Sequence, residues 1–233
     1  MYLQRKILKF MKLYLIKIFI LFQIVFFNNS YANDFNAKYK VSASGIKIGH
    51  FDWSLVINEN YYKTEIILKN SGFFSPLYKF EGKYVSQGVV VNNSFEALEY
   101  KQYWKTKKKI KIVEMKFDKR LIHIYQEPDE KEFSRINLND LFAYYDPITS
   151  FINILNGSPA AKTIDGRRVY TMERVGPKNS DDILIKIENY RNIWADHKRN
   201  DLKKIQFYVG KDSLLPEEMV IYFKDKVFKL KMI

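Results

Sequence analysis

Apolar and polar residues alternate with a period of two over much of the chain. Phe35, Ala37, Tyr39, Val41 and Ala43 interleave with Asn36, Lys38, Lys40, Ser42 and Ser44. A strand buried on one face and wet on the other has this period, because successive side chains point to opposite sides. The alternation resumes in Phe51, Trp53, Leu55 and Ile57, with Ile46 and Ile48 on the other parity. Gly49 lies between the two sets, where a bulge can switch faces. Further strands are predicted over Tyr61–Lys69, Tyr78–Val91, Leu98–Trp104, Ile110–Phe117 and Leu121–Gln126. The second half adds Arg168–Val175, Ile183–Ile187, Lys204–Val209, Glu218–Phe223 and Val227–Met232. Polar gaps such as Asn58–Asn60 mark hairpins. The chain is expected to be mainly β.

One segment breaks the period. Ile148, Phe151, Ile152 and Leu155 recur at i, i+3, i+4 and i+7, the spacing of one helix face. Asp146 suits the N-cap, Pro147 the first helical turn and Gly157 the C-terminal stop. A short amphipathic helix is therefore expected at Asp146–Asn156, with its stripe against a sheet. A weaker helical pattern over Leu138–Tyr145 leads into it. No internal repeat or low-complexity linker divides residues 33–233, which are expected to form one domain.

Four short motifs, in this order, carry a resemblance. They are Gly45-Ile-Lys-Ile-Gly49 in an N-terminal hairpin, Asp146-Pro-Ile-Thr-Ser at the helix start, Ile164-Asp-Gly-Arg-Arg168 at a strand start, and Leu215-Pro216 before a late strand. Together they resemble domain-of-unknown-function family 3108, a group of bacterial exported proteins. The resemblance implies a strongly curved antiparallel sheet or incomplete barrel, with the helix on its concave face. That outline is similar to the LolA and LolB lipoprotein carriers. It brings no catalytic residue.

Residues 1–32 differ from the rest. Their only charges are Arg5, Lys6, Lys9, Lys12 and Lys17, followed by the apolar run Ile18–Phe27, interrupted only by Gln23. Ser30 and Ala32 stand at −3 and −1 of a cut after Ala32, which completes the layout of a secretory signal peptide. Met11 is an alternative start with the same layout downstream. The apolar stretch from Leu13 to Phe27 contains Lys17 and is shorter than the ~20 residues that span a bilayer. The expected product is exported to the periplasm, with no transmembrane span after cleavage.

Composition matters most through this division. The full 233 residues carry 39 Lys and Arg against 26 Asp and Glu, a formal charge of +13. Five of those basic residues belong to the signal, which leaves +8. An exported chain meets lipids, glycans and envelope proteins, and no nucleic-acid partner is expected. The absence of cysteine removes disulfides, thiol catalysis and cysteine metal sites. His50, His123 and His197 lie in separate segments with no partner at i+2 or i+4, so neither a metal nor a cofactor is expected. No G-x-S-x-G elbow is present, and no pair of carboxylates stands out for acid–base hydrolysis.

Two groups remain as candidate binding residues. The helix stripe Phe151, Ile152 and Leu155, with Arg167 of the Asp165-Gly166-Arg167-Arg168 turn, is the candidate lining for a lipid or lipoprotein acyl chain. Adjacent arginines on a strand point to opposite faces, so at most one of the two could reach an interior ligand, and the plainer alternative is a turn with an arginine paired to a surface acid. Lys105, Lys107, Lys109 and Lys111 share parity with Lys101. On an unbroken strand they would form a row about 7 Å apart, suited to an anionic envelope surface or envelope protein. The plainer alternative is a solvated face or a lysine-protected edge. The functional expectation is a non-enzymatic envelope binding module for a hydrophobic ligand. Its alternatives are a scaffold that docks through a basic face and, third, an acid–base hydrolase.

Overall fold

A computed structural model describes residues 33–71, 79–118, 121–129, 133–177, 180–194, 201–210 and 213–233, all within one unit, Ala32–Ile233. The expected signal segment and His197 lie outside the described residues. Thirteen strands form one antiparallel sheet. They are β1 (Asn33–Ala43), β2 (Ile46–Asn58), β3 (Tyr61–Asn70), β4 (Phe80–Val91), β5 (Ser94–Thr106), β6 (Ile110–Phe117) and β7 (Ile122–Glu127). After a 3₁₀ turn at Leu138–Asp140 and the helix α1 (Pro147–Leu155) come β8 (Ala160–Ile164), β9 (Arg168–Val175), β10 (Asp182–Asn192), β11 (Leu202–Tyr208), β12 (Glu218–Phe223) and β13 (Lys226–Met232).

The sheet order is β7-β6-β5-β4-β3-β2-β1-β13-β12-β11-β10-β9-β8. Each half is thus a meander, and the two halves join where the first strand pairs with the last. Tyr39 faces Met232 and Ala43 faces Phe228 across that seam. The edge strands β7 and β8 do not pair, so the barrel is incomplete. It nevertheless curls far round. A Cβ added to Gly166, in the β8–β9 turn, would stand 2.3 Å from Val113 Cγ1 on β6.

The period-two pattern becomes the inside and outside of this curl. Ala37, Tyr39 and Val41 of β1 are buried, while Asn36, Lys38 and Lys40 are exposed. The expected bulge is present: Val41 pairs with Gly49 and Ser42 with Lys47, which leaves Ile48 as the extra residue. Gly49 is needed there, because a Cβ would meet the Lys69 carbonyl oxygen at 2.5 Å. Some expectations are corrected. The Leu138–Tyr145 segment supplies only the 3₁₀ turn, after which Tyr145 runs beside β8, donating to the Lys162 carbonyl and accepting from the Ile164 amide. The lysine row is also broken, because the chain reverses at Lys107–Lys109.

Helix α1 lies on the concave side against β5, β8 and β9. Asp146 caps it, accepting from the Ile148 and Thr149 amides at 2.9 and 3.1 Å. The Phe151 ring sits 5.7 Å from Trp53 and 4.9 Å from Phe207. One helical side chain therefore joins both halves of the sheet. Beneath the helix runs a polar seam in an otherwise apolar core. Ser86 and Thr149 donate to Asp146 Oδ2, and Tyr62 meets Thr149 at 2.6 Å. Thr163 of β8 donates to Ser150 at 2.8 Å. These bonds fix the helix to β3, β4 and β8 with buried polar groups paired, as a low-dielectric interior requires.

Candidate functional site at the mouth of the sheet

Two turns meet at one end of the curl. In the first, between β5 and β6, the Thr106 hydroxyl accepts from the Lys108 and Lys109 amides, and the Thr106 amide donates to the Lys109 carbonyl. A hydroxyl that satisfies turn amides favours reversal over continued strand. Trp104 on β5 and Lys111 on β6 then fall opposite each other and share the inward parity of buried Val113 and Met115.

The second turn joins β8 to β9. Asp165 Oδ1 accepts from the Arg167 and Arg168 amides at 2.9 and 2.7 Å. Gly166 has φ +82°, the left-handed backbone that glycine adopts without a Cβ clash. Asp165 Oδ2 also lies 3.4 Å from Arg168 Nη1. Burial pushes the Asp165 carboxyl up, and the Arg168 guanidinium opposes that rise. Because Arg167 stands in the turn and not on a strand, the expected division of the two arginines does not hold.

Both arginines line one cavity of about 440 Å³ between the turns. Tyr84, Trp104 and Val113 form its apolar wall on one side, and Phe223 of β12 adds to it from the other half. Lys109 and Lys111 reach it from the β5–β6 hairpin. Four cations thus surround a partly aromatic space whose only lining carboxylate among the described residues, Asp165, is engaged by Arg168. Gly82 makes room for the wall, since a Cβ there would press the Trp104 ring at 3.1 Å. On its far side Trp104 stacks on Phe80 at 5.4 Å between ring centres.

The other candidate residues are placed differently. Lys105 and Lys107 line a neighbouring groove of about 510 Å³, with Lys69, Lys79, Phe80 and Glu81. Lys101 points outward and pairs with Glu99 and Glu114. Phe151 and Ile152 are buried core residues and Leu155 packs against the same core. None of the three lines either space, nor a third groove on the outer face at Asp52, Trp53 and Glu65. The structure brings together Arg167, Lys109 and Lys111, and leaves Lys105 and Lys107 on the adjoining rim. Sequence reasoning missed Tyr84, Trp104, Arg168 and Phe223. The inward parity of Trp104 with Tyr100 was its one usable signal, and a bulge shifts that parity within β5.

Among the described residues no three His, Cys, Asp or Glu side chains gather as a metal cluster. No helix among them is long and apolar enough to cross a membrane.

The described residues form a barrel-like β protein, a single curved sheet with one α-helix in its concavity. The family model "Protein of unknown function (DUF3108)" matches residues 34–191, and the chain belongs to that family. No curated protein matches it. Among solved structures it is similar to the crystal structure of a beta-barrel-like protein of domain-of-unknown-function family DUF1849 from Brucella abortus. The TM-score is 0.50 at 10% identity, covering 85% of this chain and 95% of that one. At that identity the likeness is one of fold.

Proposed function

We propose that the protein is an exported, non-enzymatic binding module of the bacterial envelope, and that its ligand is an amphiphile with an anionic group. The single observation that carries this reading is the mouth cavity, where Arg167, Lys109 and Lys111 converge on a wall of Trp104, Tyr84 and Phe223. Guanidinium and ammonium groups beside a low-dielectric aromatic wall hold a carboxylate or phosphate while the wall takes the adjoining apolar part. The helix stripe serves as core here, so the acyl-chain reading moves from the helix to the mouth.

Native mass spectrometry of gently purified protein, followed by titration with lysophosphatidic acid and with a neutral detergent of equal chain length, tests the reading. Binding of the anionic lipid is expected, and weaker binding of the neutral one. Arg167→Ala should weaken the anionic lipid by about tenfold, the usual worth of a charge-assisted hydrogen bond. Equal affinity for both amphiphiles, or an Arg167→Ala variant that binds like the wild type, would overturn it.

A further inference from the structure

In a meandering sheet every second turn lies at the same end. The β5–β6 and β8–β9 turns therefore share their end with the β1–β2, β3–β4, β10–β11 and β12–β13 connections. Charge is distributed unevenly between the two ends. At the mouth, the β5–β6 hairpin carries Lys105, Lys107, Lys108, Lys109 and Lys111. Lys69 and Lys79 flank the β3–β4 connection, Arg167 and Arg168 stand at β8–β9, and Lys224 and Lys226 bound β12–β13. Lys47, Arg191 and Lys203 complete the set at the β1–β2 and β10–β11 connections.

The acids at this end are Glu81, Glu127, Asp129, Asp165, Asp201 and Asp225. Two of them are occupied, Asp165 by Arg168 and Asp201 by Lys224 at 3.8 Å. Among the described residues cations outnumber acids here by more than two to one. The opposite end reverses the balance. Asp34, Glu59 and Asp118 lie there, with Asp181 and Asp182 at the β9–β10 connection and Glu217 and Glu218 at the start of β12. Against them stand Lys63, Lys116, Lys162, Arg174 and Lys231, the last paired with Glu218 at 2.8 Å.

We infer that the protein docks on an anionic lipid bilayer with its mouth end facing the membrane, so that the cavity opens onto the lipid surface. The charge complementarity is polar along the strand axis, and such a distribution orients a molecule as well as attracting it. The mouth cations are mostly lysines spread over five connections around a rim. An ammonium is a point charge without fixed pairing geometry, which suits a fluid array of lipid phosphates better than the defined carboxylates of a protein partner. Ile46 and Ile110, both exposed, sit among these lysines and supply apolar contact at headgroup level.

Vesicle flotation tests the orientation. The probes are phosphatidylcholine vesicles with and without a third of phosphatidylglycerol, at low and high salt. The variants are the rim triple Lys105→Glu, Lys107→Glu and Lys108→Glu, a milder Gln triple at the same positions, and a charge-matched control. The control is Lys38→Glu, Lys63→Glu and Lys116→Glu, exposed positions towards the opposite end. Binding to the anionic vesicles only, lost at high salt, is expected. Each lysine at an anionic surface contributes about fivefold, so the rim Glu triple should lose at least a hundredfold and the control little. The Gln triple should fall between them.

Equal losses in rim and control variants would reduce the effect to net charge and overturn the inference. So would failure of the wild type to bind anionic vesicles, which would point instead to an acidic protein. The comparison cancels any contribution of residues 1–32, which all variants share. It is also independent of the cavity reading, since Lys109, Lys111 and Arg167 are untouched and lysophosphatidic acid binding can be measured in each variant.

Discussion

Replacing Asp146 by Ala and, separately, by Asn divides what this buried carboxylate does for the fold. It accepts two backbone amides at the start of α1 and the hydroxyls of Ser86 and Thr149, and none of its surface reaches solvent. In Asp146→Ala the lost cap costs about 1 kcal/mol. The Ser86, Thr149 and Tyr62 hydroxyls can still serve one another, so one buried donor is left over, at about 1–3 kcal/mol. The expected loss is about 2–4 kcal/mol. Asn keeps an acceptor for the amides, and the hydroxyls can turn to accept from its NH₂, so Asp146→Asn should lose less.

The two also differ with pH. Burial holds the Asp146 carboxyl above its ordinary range, against the opposing hydrogen bonds from Thr149, Ser86 and Ile148. Between the ordinary value near 4 and the raised one, the folded state binds the proton more than the unfolded state. Stability of the wild type therefore falls as pH rises through that window, and is regained on acidification, by at most about 1.4 kcal/mol per pH unit. The Asn variant lacks this component, whereas the same-signed contribution of Asp165 remains in both and cancels. Urea unfolding followed by tryptophan fluorescence, from about pH 8 to about pH 4, gives the difference. A difference that stays flat across that range, or one in which the wild type gains as pH rises, would refute the reasoning.

Two further outcomes follow from packing. Phe151→Ala should cost about 3–5 kcal/mol, as loss of a buried aromatic does, because its ring lies between Trp53 and Phe207. Its affinity for lysophosphatidic acid per folded molecule should not change, and a parallel loss in a binding titration would return this residue to the ligand site. Gly166→Ala should cost about 2–5 kcal/mol, from the left-handed backbone and from overpacking against Val113. Chemical denaturation in a Val113→Ala background should recover only the overpacking part, and an undiminished cost there would contradict the contact.

Much of the sheet was legible because half-buried strands write their exposure directly into period two. Ile110–Phe117, Arg168–Val175 and Glu218–Phe223 have the bounds the alternation predicts. The cap, proline and stripe likewise place the helix. β8 escaped because its inward positions are Ala161 and Thr163, and a threonine that bonds Ser150 leaves no apolar signature. The lysine row misled for a related reason. Its parity is real, but parity means nothing across a turn, and Thr106 reverses the chain in its middle. The mouth cavity was illegible for a third reason. Val113 and Gly166 lie at opposite sides of the sheet order, and no local pattern reports how far a sheet curls.

The seam between β1 and β13 has a kinetic consequence. The first and last strands of the sheet are neighbours, so the ladder that unites the two halves spans nearly the whole described chain. Contacts this distant in sequence must overcome the largest loop-closure entropy, and they make folding slow. Until Lys226–Met232 has emerged, β1 lacks its outer partner, and the growing chain holds two meanders with no ladder between them. The last strand acts as a timer on the fold.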